Sequence, residues 1–264
     1  MNVMVSSAFK AAKKLRRDFS EIEHLQVSKK SPAKFVANAE AQAEEILIEE
    51  LERARPHYGL LSQKRGSIEP EGCNTRWIIA PLEGKTNFLH AIPHFCISIA
   101  VEDQGQIKAG VIYDPIKEEL FWAENGDGAW VNENRLRVSN RNDLGDSLIG
   151  TLSPNKNKGD KELFMAEVND LMPLVAGLRH NGSAALDLAY VAAGRYDGAY
   201  QHNLKPWDIA AAIILVREAG GYVSETDGRS NMMDTGDILA TNGELQTAVE
   251  KILRATKRNL PKSA

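Results

Sequence analysis

Cysteine is nearly absent: the 264 residues include only Cys73 and Cys96, too few to frame a disulfide-stapled or zinc-organised domain. Both lie in or beside apolar runs, so each reads as a buried free thiol. A basic excess is absent too. The chain sets 32 Lys and Arg against 36 Asp and Glu, a formal charge of −4, whereas nucleic-acid-binding domains carry a clear positive surplus. No apolar run approaches the ~20 residues of a membrane span. The segment Met1–Lys14 mixes polar and basic side chains with no apolar signal core. The expectation is a soluble, cytoplasmic protein with no direct contact to nucleic acid or membrane. Fixed-period repeats, low-complexity tracts and long linkers are also missing, and the length can bury a full core.

Several catalytic motifs fail on inspection. Gly84-Lys85-Thr86 resembles the end of a phosphate-binding P-loop, but the glycine needed five positions earlier is Ile79. His90 and His94 have the spacing of helical metal ligands. Pro93 interrupts them, and Ala91 stands where a zinc protease carries its glutamate. No Gly-x-Ser-x-Gly elbow and no dinucleotide fingerprint occurs.

Periodicity divides the chain. Val3, Ala8, Ala11, Ala12, Leu15 and Phe19 recur at helical steps. After a turn around Lys29–Pro32, a second stripe runs through Val36, Ala39, Ala43, Ile46, Leu47 and Leu51 until Pro56. Strand-like runs follow at Trp77–Ala80, Phe95–Val101, Ile107–Tyr113 and Glu119–Ala123. Ser153–Asp160 reads as an exposed loop. Helices return at Lys161–Leu171, Ala184–Ala193 and Trp207–Ala219, the last closed by Gly220–Gly221. A strand at Ile238–Thr241 and a helix from about Glu244 finish a mixed α/β or α+β chain.

The run from Trp77 to Phe88 reads W-I-I-A-P-L-E-G-K-T-N-F, and the chain from Trp207 continues W-D-I-A-A and ends this segment on E-A-G-G at Gly221. These two segments strongly resemble the signatures of the inositol monophosphatase family, whose first pattern is W-I-I-D-P-L-D-G-T-T-N-F. Gly110–Pro115, Glu119–Phe121, Gly126–Asn132 and Gly182–Leu186 look like the family as well. The resemblance covers nearly the whole chain and is nearest to the bacterial extragenic suppressor (SuhB) branch. It implies a layered αβαβα sandwich of the inositol monophosphatase and fructose-1,6-bisphosphatase type. One domain would span residues 1–264, as two tightly packed halves meeting near 145–160. It also implies a homodimer, a phosphate-ester substrate, Mg²⁺, and bacterial transcription or ribosome-biogenesis proteins as partners.

Family members use Mg²⁺ to activate water and neutralise phosphate, and such hard cations need several carboxylate oxygens in one small volume. In the family these come from a Glu-Glu pair, both aspartates of D-P-L-D-G-T-T and the aspartate of W-D. Carried onto this chain, those positions are Gln63 and Lys64, Ala80 and Glu83, and Asp208. The first threonine is Lys85, and only Asp208 is unaltered. Lys34 and Glu40 replace two aspartates of the family's second-helix region, and Gln201 replaces an acid that touches the inositol ring. The expected catalytic set is Glu83, Lys85, Thr86 and Asp208. Gly84, Lys85, Thr86, Gly182, Ala184, Gln201 and Asp208 would bind substrate. Glu83 and Asp208 would be what remains of a metal site, with Mg²⁺ bound weakly or not at all. Lys64 and Lys85 are expected to replace the metal charge by pairing with Glu83 and Asp208.

Structural roles compete with these. Asp208 can stabilise the first turn of its helix, Thr86 and Asn87 can cap a helix start, and Trp77 and Trp207 can be packing residues. Three functions follow: an impaired member acting through interactions, a working Mg²⁺-dependent phosphomonoesterase acting on inositol 1-phosphate or a similar sugar phosphate, and a metal-free phosphate-ester binder.

Overall fold

In a computed structural model, residues 1–27, 32–154 and 159–260 are described. The turn expected at Lys29–Pro32 and the middle of the expected loop at Ser153–Asp160 lie largely outside these residues. The chain opens with helices α1 (Asn2–Val27) and α2 (Pro32–Ala54). Strands β1 (Gly59–Ser62), β2 (Gly66–Ile68) and β3 (Thr75–Glu83) lead to the short helix α3 (Lys85–Leu89). Strands β4 (Cys96–Asp103), β5 (Gln106–Asp114), β6 (Glu119–Glu124), β7 (Gly128–Val131) and β8 (Asn134–Arg135) complete a first sheet. Its order is β2-β1-β3-β4-β5-β6-β7-β8, and its neighbours run antiparallel except for the parallel pair β1/β3.

The remainder runs β9 (Leu148–Thr151), α4 (Lys161–Leu171), β10 (Gly177–Arg179), α5 (Ala184–Ala192), β11 (Gly198–Gln201) and α6 (Pro206–Glu218). It ends with β12 (Tyr222–Ser224), α7 (Met232–Thr235), β13 (Ile238–Thr241) and α8 (Gln246–Asn259). The second sheet has the order β10-β9-β11-β13-β12.

Helical faces explain the layering. The α1 stripe buries Met4, Ala8, Ala11, Ala12, Leu15 and Ile22, and α2 buries Val36, Ala39, Ala43, Leu47 and Leu51. Both cover one face of the first sheet, where Ile79, Ile97, Ile99 and Val111 meet them. Met4, rather than the expected Val3, is the fully buried residue of the first turn. Helices α5 and α6 are buried along most of their length, with apolar residues on several sides as central helices need, and lie between the two sheets with Ile112, Phe121, Ala199 and Ala240. Outside the second sheet, Leu171 of α4 and Val249 and Leu253 of α8 pack on Ile149, Tyr200 and Leu239. The result is the five-layered α-β-α-β-α arrangement, so the mixed α/β expectation holds. Among the described residues no helix is long and apolar enough to cross a membrane.

Candidate functional site

Three chain ends converge between the sheets. Strand β3 pairs with β4 up to Ala80 opposite Ser98, then shifts register so that Glu83 faces Cys96, an irregularity that re-aims the side chains beyond it. Gly84 then turns the chain at φ 86°. A Cβ there would lie 3.0 Å from the His94 carbonyl oxygen, so a side chain would be both strained and crowded. The starts of α5 and α6, which pack on one another, supply the other two ends. Together with the end of β11 they surround a cavity of about 1200 Å³, reached by Glu40, Gln63, Glu83, Lys85, Gln201 and Asp208.

Glu83 is committed to the fold. Its Oε2 accepts from the Ser183 hydroxyl, and its Oε1 accepts from the Ala184 backbone N–H at 3.1 Å. The carboxylate therefore sits on the open N–H groups of α5, where negative charge is stabilised. Burial, followed by the nearby Asp208 charge, pushes its pKa up to about 7 against these hydrogen bonds. Asp208 closes the first turn of α6 by accepting from the Lys205 N–H at 3.0 Å, the structural role its position allows. Burial raises it to about 6, opposed by the Lys205 hydrogen bond and the Lys85 charge. Ala80 is 3% exposed and offers no donor.

The lysines do not pair as the sequence implied. Lys85 Nζ lies 2.8 Å from Glu40 Oε1 and also donates to Gln63 Oε1. Lys64 Nζ is 3.9 Å from Glu40 Oε2 and donates to the Ala37 carbonyl at 3.0 Å. Their partner is the buried Glu40 of α2, not Glu83 or Asp208. The physical reason is that Glu83 is already occupied by the α5 start, whereas Glu40, 5% exposed, would otherwise be a buried charge without a partner.

Most carboxylate oxygens of Glu40, Glu83 and Asp208 already have partners. Both oxygens of Glu83 and one of Asp208 accept hydrogen bonds, and the two of Glu40 face lysine ammoniums at 2.8 and 3.9 Å. Among the described residues no group of three or more His, Cys, Asp or Glu is arranged to hold a metal, whereas Mg²⁺ requires near-octahedral oxygen ligation. Unit charges about 4 Å apart interact by roughly 4 kcal/mol at an effective dielectric near 20, so an ammonium among the carboxylates opposes a dication strongly.

The remaining expected residues divide. Thr86 is exposed and lines the cavity. Asn87 is not a cap. Its Nδ2 donates to the His94 and Asn181 carbonyls, both at 2.7 Å, and ties the turn to the segment before α5. A Cβ on Gly182 would come within 2.9 Å of that amide. Ala184 lines the cavity, and its N–H donates to Glu83. Gln201 is 1% exposed and donates to Asp187 Oδ2 at 3.2 Å, so it is held in the wall. Trp77 is 5% exposed and packs against Tyr58, whereas Trp207 lines the cavity.

Sequence reasoning missed one charged cluster on this wall. His202 Nε2 lies 3.0 Å from Glu167 Oε1 and its Nδ1 3.3 Å from Asp237 Oδ1. Burial alone would lower the imidazole pKa, but its bonds to Asp237 and Glu167 outweigh it and hold the value at about 9. A raised folded-state pKa stabilises the fold fully below the ordinary value near 6.5 and loses that contribution as pH climbs through about 9. The expected loss is on the order of 3 kcal/mol by linkage. Urea midpoints between pH 7 and 10 check it: the native chain should lose more stability over this range than His202→Gln, and parallel curves would exclude the effect.

Comparison with known proteins agrees with the fold and with the motifs at its centre. An inositol-1-monophosphatase of Mesorhizobium japonicum is 50% identical over 260 residues, covering 98% of this chain and 97% of the relative. The Nus factor SuhB of Escherichia coli is 39% identical over 94% of this chain and 93% of its own length. The crystal structure of extragenic suppressor protein SuhB from Bartonella henselae superposes with a TM-score of 0.88 at 46% identity, covering 96% of this chain and 98% of that one. With residues 1–259 matching its description from end to end, and the five layers and both signature segments in place, this chain belongs to the inositol monophosphatase family.

Proposed function

We propose that this chain recognises the phosphate monoester of inositol 1-phosphate or a similar sugar phosphate in the cavity between its sheets, and that its magnesium-dependent hydrolysis is impaired. Family membership and relatives named inositol-1-monophosphatase support the substrate class. The observation that carries the reading is the commitment of Glu40 to two lysines and of Glu83 to the α5 start, which leaves few carboxylate oxygens for a metal. In this reading Lys85 meets the phosphate charge and Thr86 offers a hydroxyl. Asp208 holds the start of α6, and Gln201 and Trp207 bound the space for the sugar ring.

The second reading is a working Mg²⁺-dependent phosphomonoesterase. It is favoured by the names of relatives 44–50% identical to this chain and by the presence of Glu83, Thr86 and Asp208 in one cavity. Hydrolysis of inositol 1-phosphate over a wide Mg²⁺ range separates the two. We expect turnover at least ~100-fold below an intact-motif relative, the upper end of the cost of losing even a supporting residue around a metal. Turnover at the relative's rate defeats the impaired reading. Absence of both binding and turnover in a folded chain defeats substrate recognition altogether. It leaves an interaction role with transcription-associated proteins, which the Nus factor name of the Escherichia coli relative favours.

A further inference from the structure

We propose that the Lys85 ammonium is the resident cation of this cavity, so that a phosphate monoester binds on it directly and without a metal. The inference rests on the phosphate-ester reading above and deepens it. Lys85 is built in rather than loose. Its Nζ is fixed by the buried Glu40 carboxylate at 2.8 Å and by the Gln63 side-chain oxygen. An ammonium has three donors and no acceptor. One donates to Gln63, the Glu40 carboxylate pairs with the ammonium by charge, and the lysine side chain, 35% exposed, lines the cavity.

The surroundings were fitted to that charge. Glu40 compensates Lys85 from behind, as a supporting carboxylate does for a bound cation, and Lys64 stands on the other oxygen of the same carboxylate. Glu83 turns away to Ser183 and Ala184 and does not converge on the cation. A dication entering here would meet an ammonium at close range and find no set of three ligating side chains among the described residues. A phosphate dianion would meet a positioned N–H donor of opposite charge, the short charge-assisted bond that phosphate groups favour.

Titration of inositol 1-phosphate into the full chain, first in EDTA and then in excess Mg²⁺, tests the inference. We expect the same affinity in both conditions. Lys85→Ala should weaken it about tenfold or more, the fold-change equivalent to one lost hydrogen bond to a charged group. Lys85→Arg, which keeps the charge, should recover part of the loss. Binding that appears only with Mg²⁺ overturns the metal-free inference while leaving substrate recognition standing. Binding unchanged in Lys85→Ala overturns the role of Lys85. No binding in either condition overturns both readings. The EDTA and Mg²⁺ comparison uses the native chain, so it decides the matter even if a variant folds poorly.

Discussion

Restoring Ala80→Asp, Glu83→Asp, Lys64→Glu and Lys85→Thr together is expected to give this chain a divalent-metal site, with Mn²⁺ affinity rising ~100-fold or more. The change removes two ammoniums and adds two carboxylates in one small volume. At roughly 4 kcal/mol per unit-charge pair near 4 Å, even heavily screened terms exceed the 2.8 kcal/mol or so that a hundredfold change requires. Glu83→Asp matters through its length. The glutamate arm reaches Ser183 and the Ala184 N–H, and an aspartate one methylene shorter withdraws toward the cavity and releases its oxygens. That release should cost about 1 kcal/mol of stability at the α5 start. Single reversions should do little, because each leaves either a lysine or a missing ligand. Calorimetry with Mn²⁺ measures the effect, and a silent quadruple variant would place the obstacle elsewhere in the site.

The second large effect is structural. Gly236→Ala should destabilise the fold by about 3 kcal/mol or more, the range of backbone substitutions that combine strain with a clash. Gly236 ends α7 at φ 73°, a conformation that side chains avoid. An added Cβ would lie 2.1 Å from the Leu204 carbonyl oxygen. Leu204 donates its N–H to the Gly236 carbonyl at 2.9 Å and lines the cavity one residue before Lys205. The strain therefore passes into the wall that leads to Asp208. Gly126→Ala is the control. Its φ of 90° is also positive, but no atom lies within 4 Å of the new Cβ, so only the backbone strain of ~1 kcal/mol remains. Thermal melts should separate the two clearly, and equal shifts would mean that the Leu204 contact relaxes at no cost.

Legibility of the fold followed element length. The stripes of α1 and α2 are long enough for a 3.6-residue period to stand out, and Lys161–Leu171 and Ile238–Thr241 coincide with α4 and β13. Strands β10 and β12 have three residues each, and so short a run carries no period; their places come from pairing with β9 and β13. Strand β1 has only four residues and ends on Ser62, buried in the pair with β3 while its hydroxyl accepts from the Arg65 N–H in the turn that follows.

The site divides in the same way. Glu83, Lys85 and Asp208 could be found because they sit inside two long motifs. The role of Glu40 could not, because its partners come from a turn and from the start of α3. One signal was present, a glutamate directly after Ala39 on the buried stripe of α2, where a charge needs a partner. His202, Glu167 and Asp237 come from three separate segments with no shared motif, and only the folded chain brings them together.

The central claim, that lysine charge has replaced metal charge in this cavity, is tested most directly by a crystal of the native chain grown in millimolar Mn²⁺. The expected map shows Lys85 Nζ on Glu40 and Gln63, with no anomalous density between Glu40, Glu83 and Asp208. An anomalous peak among those three carboxylates, with Lys85 displaced from Glu40, would contradict it.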